Sequence, residues 1–302
     1  MSKNYFNLRN QLIVFSTIAA FSFGCGTDEA SHEDEDTTQE EETSPNQNQL
    51  MEIDGKVFSI PSPIQTAALI KNSGTNYNKA MLNVPSNVTK YSTNFKKAIN
   101  LGVFGADLGY VTLYEQTQDA ISYLTAIKSI GDDLGVSSAF DMELVSRFEK
   151  NIGNQDSLLV LVSDAYKSSD RYLKNNQQND VGGLILAGGW IESLYFATNA
   201  AEMTSNEDVI KRIGEQKATL SNLIKLLTPF YSKPEFTSLV DKLIELDDLF
   251  ASIEITYTYV KPTVDAQNKT TTINSTTEVN FTNDQLKAIT AKTLEIRSEL
   301  IN

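Results

Sequence analysis

Toward the C-terminal end, apolar residues recur every three or four positions. Phe236, Leu239, Val240, Leu243, Phe250, Ile253 and Tyr257 follow this rhythm, as do Leu286, Ile289, Ile296 and Leu300. At 3.6 residues per turn such positions fall on one stripe, so both stretches read as amphipathic helices with the stripe turned inward. Helix starts are marked by a hydroxyl three residues ahead of an acid or amide. Ser62 with Gln65, Thr204 with Glu207, Ser232 with Glu235, and Thr282 with Gln285 all fit, with Pro63 and Pro234 at favoured first-turn positions. Together the signals predict helices over 63–72, 87–104, 106–134, 139–151, 155–176, 181–203, 205–229, 234–257 and 283–301. The fold class is therefore all-α, an up-and-down bundle of about eight or nine antiparallel helices. Helix pairs here take up about 50 residues against about 34 in a tetratricopeptide repeat, and no internal repeat is visible, so a solenoid fits less well.

Two stretches break the helical rhythm. Ile255, Tyr257 and Tyr259 alternate with Thr or Val, and Thr270 to Phe281 is rich in Thr, Asn and Val. A period of two predicts a small β-hairpin near 255–281, with a polar loop as the competing reading. Ile53 to Phe58 reads as a short strand or an extended lead-in before Pro61.

Val181 to Met203 is apolar nearly all round, as in a helix surrounded by others, yet it contains Gly182, Gly183, Gly188 and Gly189. Each glycine in a helix interior costs about 1 kcal/mol relative to Ala, so something must offset the group. Close approach of neighbouring backbones does so, and a bound ligand is the other candidate. The glycines match neither a phosphate-binding loop nor a dinucleotide fingerprint.

Two polar stripes stand out in this apolar setting. Asp107, Tyr110, Tyr114 and Gln118 are spaced to share one helix face, and Glu192, Tyr195 and Asn199 are spaced likewise on the glycine-rich helix. If the stripes meet, they form either a ligand-binding pocket or a polar cluster that satisfies itself inside the bundle. Two acids in a poorly solvated interior raise each other's pKa. No Lys or Arg lies between Leu101 and Ser122 or between Val181 and Met203. A base from another helix, Lys96 or Arg171, or else a bound cation or polar ligand, must supply the partner.

The 302 residues, 40% of them hydrophobic, suffice for one sizeable domain or two small ones. The net charge of −14 is concentrated near the start: residues 26–49 carry nine acids and no Lys or Arg. No basic stripe remains for nucleic acid, which needs clustered Lys or Arg to displace counterions. The single cysteine, Cys25, and the single histidine, His32, both precede the helical region. A Ser-His-Asp triad, a Cys-His pair, a Cys- or His-ligated zinc and a disulfide framework thus lack their residues there, and no cofactor or metal is expected. Carboxylate chemistry stays open, through pairs such as Glu115 with Asp119 or Asp247 with Asp248, although none is singled out.

Lys3 and Arg9 precede an apolar run from Leu12 to Phe23, which ends at Gly24-Cys25. A membrane-spanning helix needs about 20 residues, so this shorter run reads as a signal peptide. A small residue directly before the only cysteine resembles the lipobox of bacterial lipoproteins, with Ser22 where Leu is usual. That resemblance implies that Cys25 is acylated, by palmitate or a similar chain, and becomes the first residue of the mature protein. An ordinary secretory peptide with a coincidental cysteine is the alternative. The division is then 1–24 signal peptide, 25–50 acidic disordered tether and 51–302 all-α helical domain. The acidic tract is also similar to the surface-export signal of Bacteroidota lipoproteins, and Asp36-Thr37-Thr38 to their short O-glycosylation motif. Ile60-Pro61-Ser62-Pro63 and Leu101 to Tyr110 resemble small all-helical lipoproteins of that group, a family without an assigned activity.

The expected function is a non-enzymatic binding or structural lipoprotein of the cell envelope, on the outer membrane and facing periplasm or cell surface, that holds an envelope protein or small ligand. A carboxylate-dependent envelope hydrolase and an accessory component of surface glycan uptake are the competing readings. The expected partners are the membrane, through the lipid, and that protein or ligand, with no nucleic acid.

Overall fold

The computed structural model describes residues 49–53, 56–60, 63–136, scattered positions between 146 and 164, 178–267 and 270–302. Among them are seven α-helices: α1 (Pro63–Asn72), α2 (Asn94–Leu113), α3 (Thr117–Leu134), α4 (Asn179–Thr204), α5 (Glu207–Leu227), α6 (Pro234–Ala251) and α7 (Asn283–Ile301). The all-α expectation holds. Cys25, the signal segment, the tether and Arg171 lie outside the described residues, as do most of the helices expected at 139–151 and 155–176.

The apolar stripes explain how the helices stack. α4 sits centrally, against α1, α2, α5 and α7, while α3 packs on α2, and α6 bridges α5 and α7. By length and composition α4 could cross a membrane, but 89% of its most apolar stretch is buried in the fold. A core helix surrounded on all sides needs the same apolar composition. The glycine-rich sequence has the packing explanation: a Cβ on Gly188 would lie 1.9 Å from the Ile99 carbonyl oxygen, and one on Gly102 would lie 1.9 Å from that of Ile185. Only hydrogen fits where α2 and α4 cross.

Helix boundaries differ from expectation in three places. The helix expected from residue 87 begins at Asn94, with Thr93 as its cap, behind a separate 3-10 turn over Pro85–Lys90. The break placed at Gly105 does not exist, because α2 runs through it to Leu113. The chain turns instead at Glu115, in the left-handed region at φ 59°. There the Gln116 N–H donates to the Val111 carbonyl at 2.8 Å. This six-to-one bond ends a helix in a Schellman motif, a site that normally holds Gly. The helix expected over 234–257 stops at Ala251, and Tyr257 lies on a strand, 62% exposed, rather than on a buried helical face.

Among the start signals, Thr282 and Gln285 form the reciprocal capping box as expected. α5 is capped by Asn206, whose side chain accepts from the Val209 N–H at 3.1 Å, and not by Thr204, which ends α4. At α6 the residue before Pro234 is Lys233, with no side-chain cap.

Among the described residues the strands form three antiparallel pairs. β1 (Gln49–Ile53) pairs with β2 (Lys56–Ile60), which extends the expected lead-in to a hairpin. β3 (Glu254–Thr258) pairs with β6 (Thr276–Asn280), and within that loop β4 (Thr263–Asp265) pairs with β5 (Thr270–Thr272). The hairpin near 255–281 is thus present as a long two-stranded arm between α6 and α7.

Candidate functional site

Just beyond the glycine crossing, α2 and α4 bring Asp107 and Glu192 into the same interior space. Both side chains are 0% exposed. The base comes from α7. Arg297 Nε donates to Glu192 Oε2 at 2.6 Å and Nη2 to Oε1 at 2.7 Å, a two-pronged pairing that matches guanidinium to carboxylate geometry. Nη2 also donates to the Met81 carbonyl at 2.7 Å, and the guanidinium carbon lies 4.1 Å from the centre of the Tyr195 ring. The pair therefore joins α4, α7 and the segment between α1 and α2, with a cation–π contact on one side.

Two carboxyls share one guanidinium here, so neutrality of the interior requires one proton. Asp107 holds it. Burial pushes its pKa well above the ordinary aspartate value and the neighbouring Glu192 adds to this, while Arg297 acts the other way. Among the described residues neither Asp107 oxygen has a well-formed hydrogen bond, and Arg297 with the Asn83 backbone offsets only part of the cost of ionising it. Burial also raises Glu192, but Arg297 offsets part of that, and the neighbouring Asp107 a little more. For Arg297 itself, burial favours the neutral form and Glu192 more than compensates, leaving the pKa above its usual value.

This arrangement predicts a pH dependence. The folded state holds the Asp107 proton to higher pH than the unfolded chain, whose aspartates ionise near pH ~4. As pH rises from there toward the folded pKa, the native state binds the extra proton, and stability falls by about 1.4 kcal/mol per unit. Asp107→Asn keeps the shape and cannot ionise, so its urea-unfolding free energy should lack that slope. Parallel slopes in wild type and variant would mean that Asp107 is ionised in the fold.

Around the acids runs a layer of tyrosines and amides, much of it from residues 75–93. Tyr123 Oη donates to the Asn83 carbonyl at 2.9 Å, and the Asn83 amide donates to Tyr91 Oη at 2.9 Å. Burial pushes the Tyr91 phenol up to about 12. Tyr91 and α2 then reach the open carbonyls at the C-terminal end of α7. Tyr91 Oη donates to Ile301, Asn100 Nδ2 to Leu300 at 2.9 Å, and Lys96 Nζ to Glu299 at 2.6 Å. The last turn of α7 contains no basic residue of its own, so Lys96 supplies the positive charge this helix end favours.

The two expected stripes meet only in part. Asp107 and Glu192 come together, and Tyr195 covers Arg297. Tyr110 is fully buried, stacks on Phe196 with ring centres 4.8 Å apart, and accepts from the Asn78 N–H at 3.2 Å. Tyr114 lies at the end of α2 and donates to the Thr75 carbonyl at 2.7 Å, outside the acid pair. Gln118 is a correction: α2 has ended, Gln118 belongs to the first turn of α3, and it is exposed. Asn199 bonds back to the Tyr195 carbonyl at 2.8 Å and does not reach the acids. Lys96 caps a helix rather than an acid. The residue that sequence reasoning missed is Arg297, although a signal existed: it lies one position after Ile296 and three before Leu300, on the apolar stripe of α7.

Three of the four carboxylates considered for hydrolysis have partners of their own. Asp119 takes a hydrogen bond from Tyr77 at 2.7 Å and an ion pair with Lys79, while Glu115 is exposed and lies 3.6 Å from Lys71. Asp247 accepts from Ser221 at 3.0 Å. The described residues contain no group of three or more His, Cys, Asp or Glu placed to hold a metal. An open groove of about 480 Å³ runs between α1 and α5, with Gln65, Asn72, Asp208, Lys211, Arg212 and Glu215 along it. No family model matches the chain, and neither a curated protein nor a solved structure is significantly similar to it.

Proposed function

We propose that this chain is a cell-envelope lipoprotein, anchored through lipid on Cys25, whose helical body works as a non-enzymatic binding or structural module. On this reading it is an outer-membrane protein facing the periplasm or cell surface. The observation that supports a non-catalytic body is the state of its two most perturbed carboxyls. Asp107 and Glu192 are closed to solvent, and Glu192 is fully engaged by Arg297. A glycosidase-type mechanism needs two acids that reach substrate across a cleft. Here Glu192 ties α4 to α7 through Arg297 and Asp107 is sealed beside it, leaving recognition to the surface. The anchor is supported by the charged start, the short apolar run and Gly24-Cys25.

Cys25→Ser should move the full-length protein from the membrane to the soluble fraction of its host and abolish labelling by an alkyne fatty acid. Labelling that persists in the variant would overturn the anchor.

A further inference from the structure

The exposed apolar side chains are unevenly spread. Among the described residues, eleven large hydrophobics are exposed, and six of them, Ile255, Tyr257, Tyr259, Val260, Val264 and Ile273, lie on the arm between α6 and α7. An isolated two-stranded hairpin is marginal in water. The base of this one is supported on one side. Val279 of β6 sits against α5 so closely that a Cβ on Gly214 would come within 2.3 Å of it. β3 has no such cover. All five of its residues are exposed, and among the described strands it pairs with β6 alone, which leaves its other edge open.

Open edges invite pairing, and proteins commonly block them with charge. The two edges of this arm differ in that respect. Consider each strand pairing antiparallel with its own copy about a two-fold axis through its central residue. For β6 the centre is Glu278, so two carboxylates would face each other directly, an unfavourable pairing. For β3 the centre is Thr256. Thr256 then faces Thr256, Ile255 faces Tyr257 twice, and Glu254 faces Thr258 twice. Aromatic with β-branched and Thr with Thr are favourable cross-strand pairs, and no like charges meet. The register also keeps the apolar residues of both copies on one face of the sheet, which a one-residue slip would not.

We infer that β3 is the contact of a two-fold dimer of this chain, in which the two arms form a four-stranded sheet in the order β6-β3-β3-β6. A closed two-fold contact uses the same patch twice and stops at two copies. Because the strands run antiparallel, the distal part of each arm, with Tyr259, Val264 and Ile273, extends past the base of the other arm toward the partner's body. That places the most exposed apolar side chains where a second molecule can cover them. The inference is independent of whether Cys25 carries lipid.

The test uses the full chain carrying Cys25→Ser, in detergent, by sedimentation across a concentration series. The expected result is a concentration-dependent dimer whose dissociation constant rises at least about tenfold on Thr256→Lys, which sets like charges against each other at the axis. Thr256 is exposed, so the helical signal should be unchanged, as should the melting temperature at concentrations where both proteins are monomeric. A second variant guards against misfolding. Directly opposed antiparallel residues have Cα atoms about 4.5–5.5 Å apart, within disulfide range. Thr256→Cys should therefore form a disulfide-linked dimer on mild oxidation while Glu278→Cys does not. A monomeric protein, a dimer indifferent to Thr256→Lys, or equal crosslinking from both cysteine positions would overturn the inference.

Discussion

Arg297→Ala should lower the unfolding free energy by about 3–5 kcal/mol, the range for removing one partner of a buried ion pair. The loss has identifiable parts. Glu192 would remain 0% exposed with both oxygens stripped of their donors, the Met81 carbonyl would lose its partner, and Tyr195 would lose the cation over its ring. The cost should also depend on pH. Without the guanidinium, burial raises the Glu192 pKa further, and near pH 5 the carboxyl can protonate and escape part of the penalty. Unfolding in urea at pH 5 and pH 8 should show the larger deficit at pH 8. Replacing both partners, Glu192→Met with Arg297→Met, should recover part of the loss, since a buried ion pair is often no better than apolar groups of similar volume. A single-variant cost below about 1 kcal/mol, in the range of an exposed pair, would show that the pairing does not form in solution.

How far the sequence revealed this cluster follows from the range of each signal. Helix starts and stripes depend on residues three or four apart, so α1 and α7 have the bounds expected of them, 63–72 and 283–301. The meeting of Asp107 with Glu192 could be anticipated because each lies on the polar side of an apolar helix and lacks a local base. The base itself is 105 residues from Glu192, and nothing local selects Arg297 over other cations. The end of α2 was hidden for another reason. Helix ends are read from Gly, Asn or Pro, yet the left-handed residue here is Glu115, while the nearby Gly105 stays helical. That misplacement carried Tyr114 and Gln118 onto a stripe that the chain has already left. At 234–257 the three–four rhythm overran the helix, because Tyr257 fits a period of three or four as well as the strand's period of two.

The glycine crossing, by contrast, was legible as a cost needing compensation, and it leads to the second large expected effect. Gly102→Ala and Gly188→Ala should each destabilise the protein by at least about 3 kcal/mol, at or beyond the upper end of overpacking costs. Each new methyl would sit 1.9 Å from a backbone carbonyl oxygen of the facing helix, and neither backbone can rotate away as a side chain can. α2 and α4 would have to separate by more than an ångström to restore ordinary contact, drawing Asp107 from Glu192 and loosening the packing around Arg297. The gain in helix propensity, about 1 kcal/mol, works in the other direction and is too small to cancel this. Gly109→Ala on the same helix is the internal control. Its nearest obstacle is the Ile64 Cγ1 atom at 3.3 Å, a side chain that can shift by a few tenths of an ångström. There the propensity gain should dominate, leaving stability unchanged or slightly raised. Thermal and urea unfolding of the three variants thus separate a backbone crossing from a general intolerance of bulk in α2. Equal losses at positions 102, 109 and 188 would contradict the crossing.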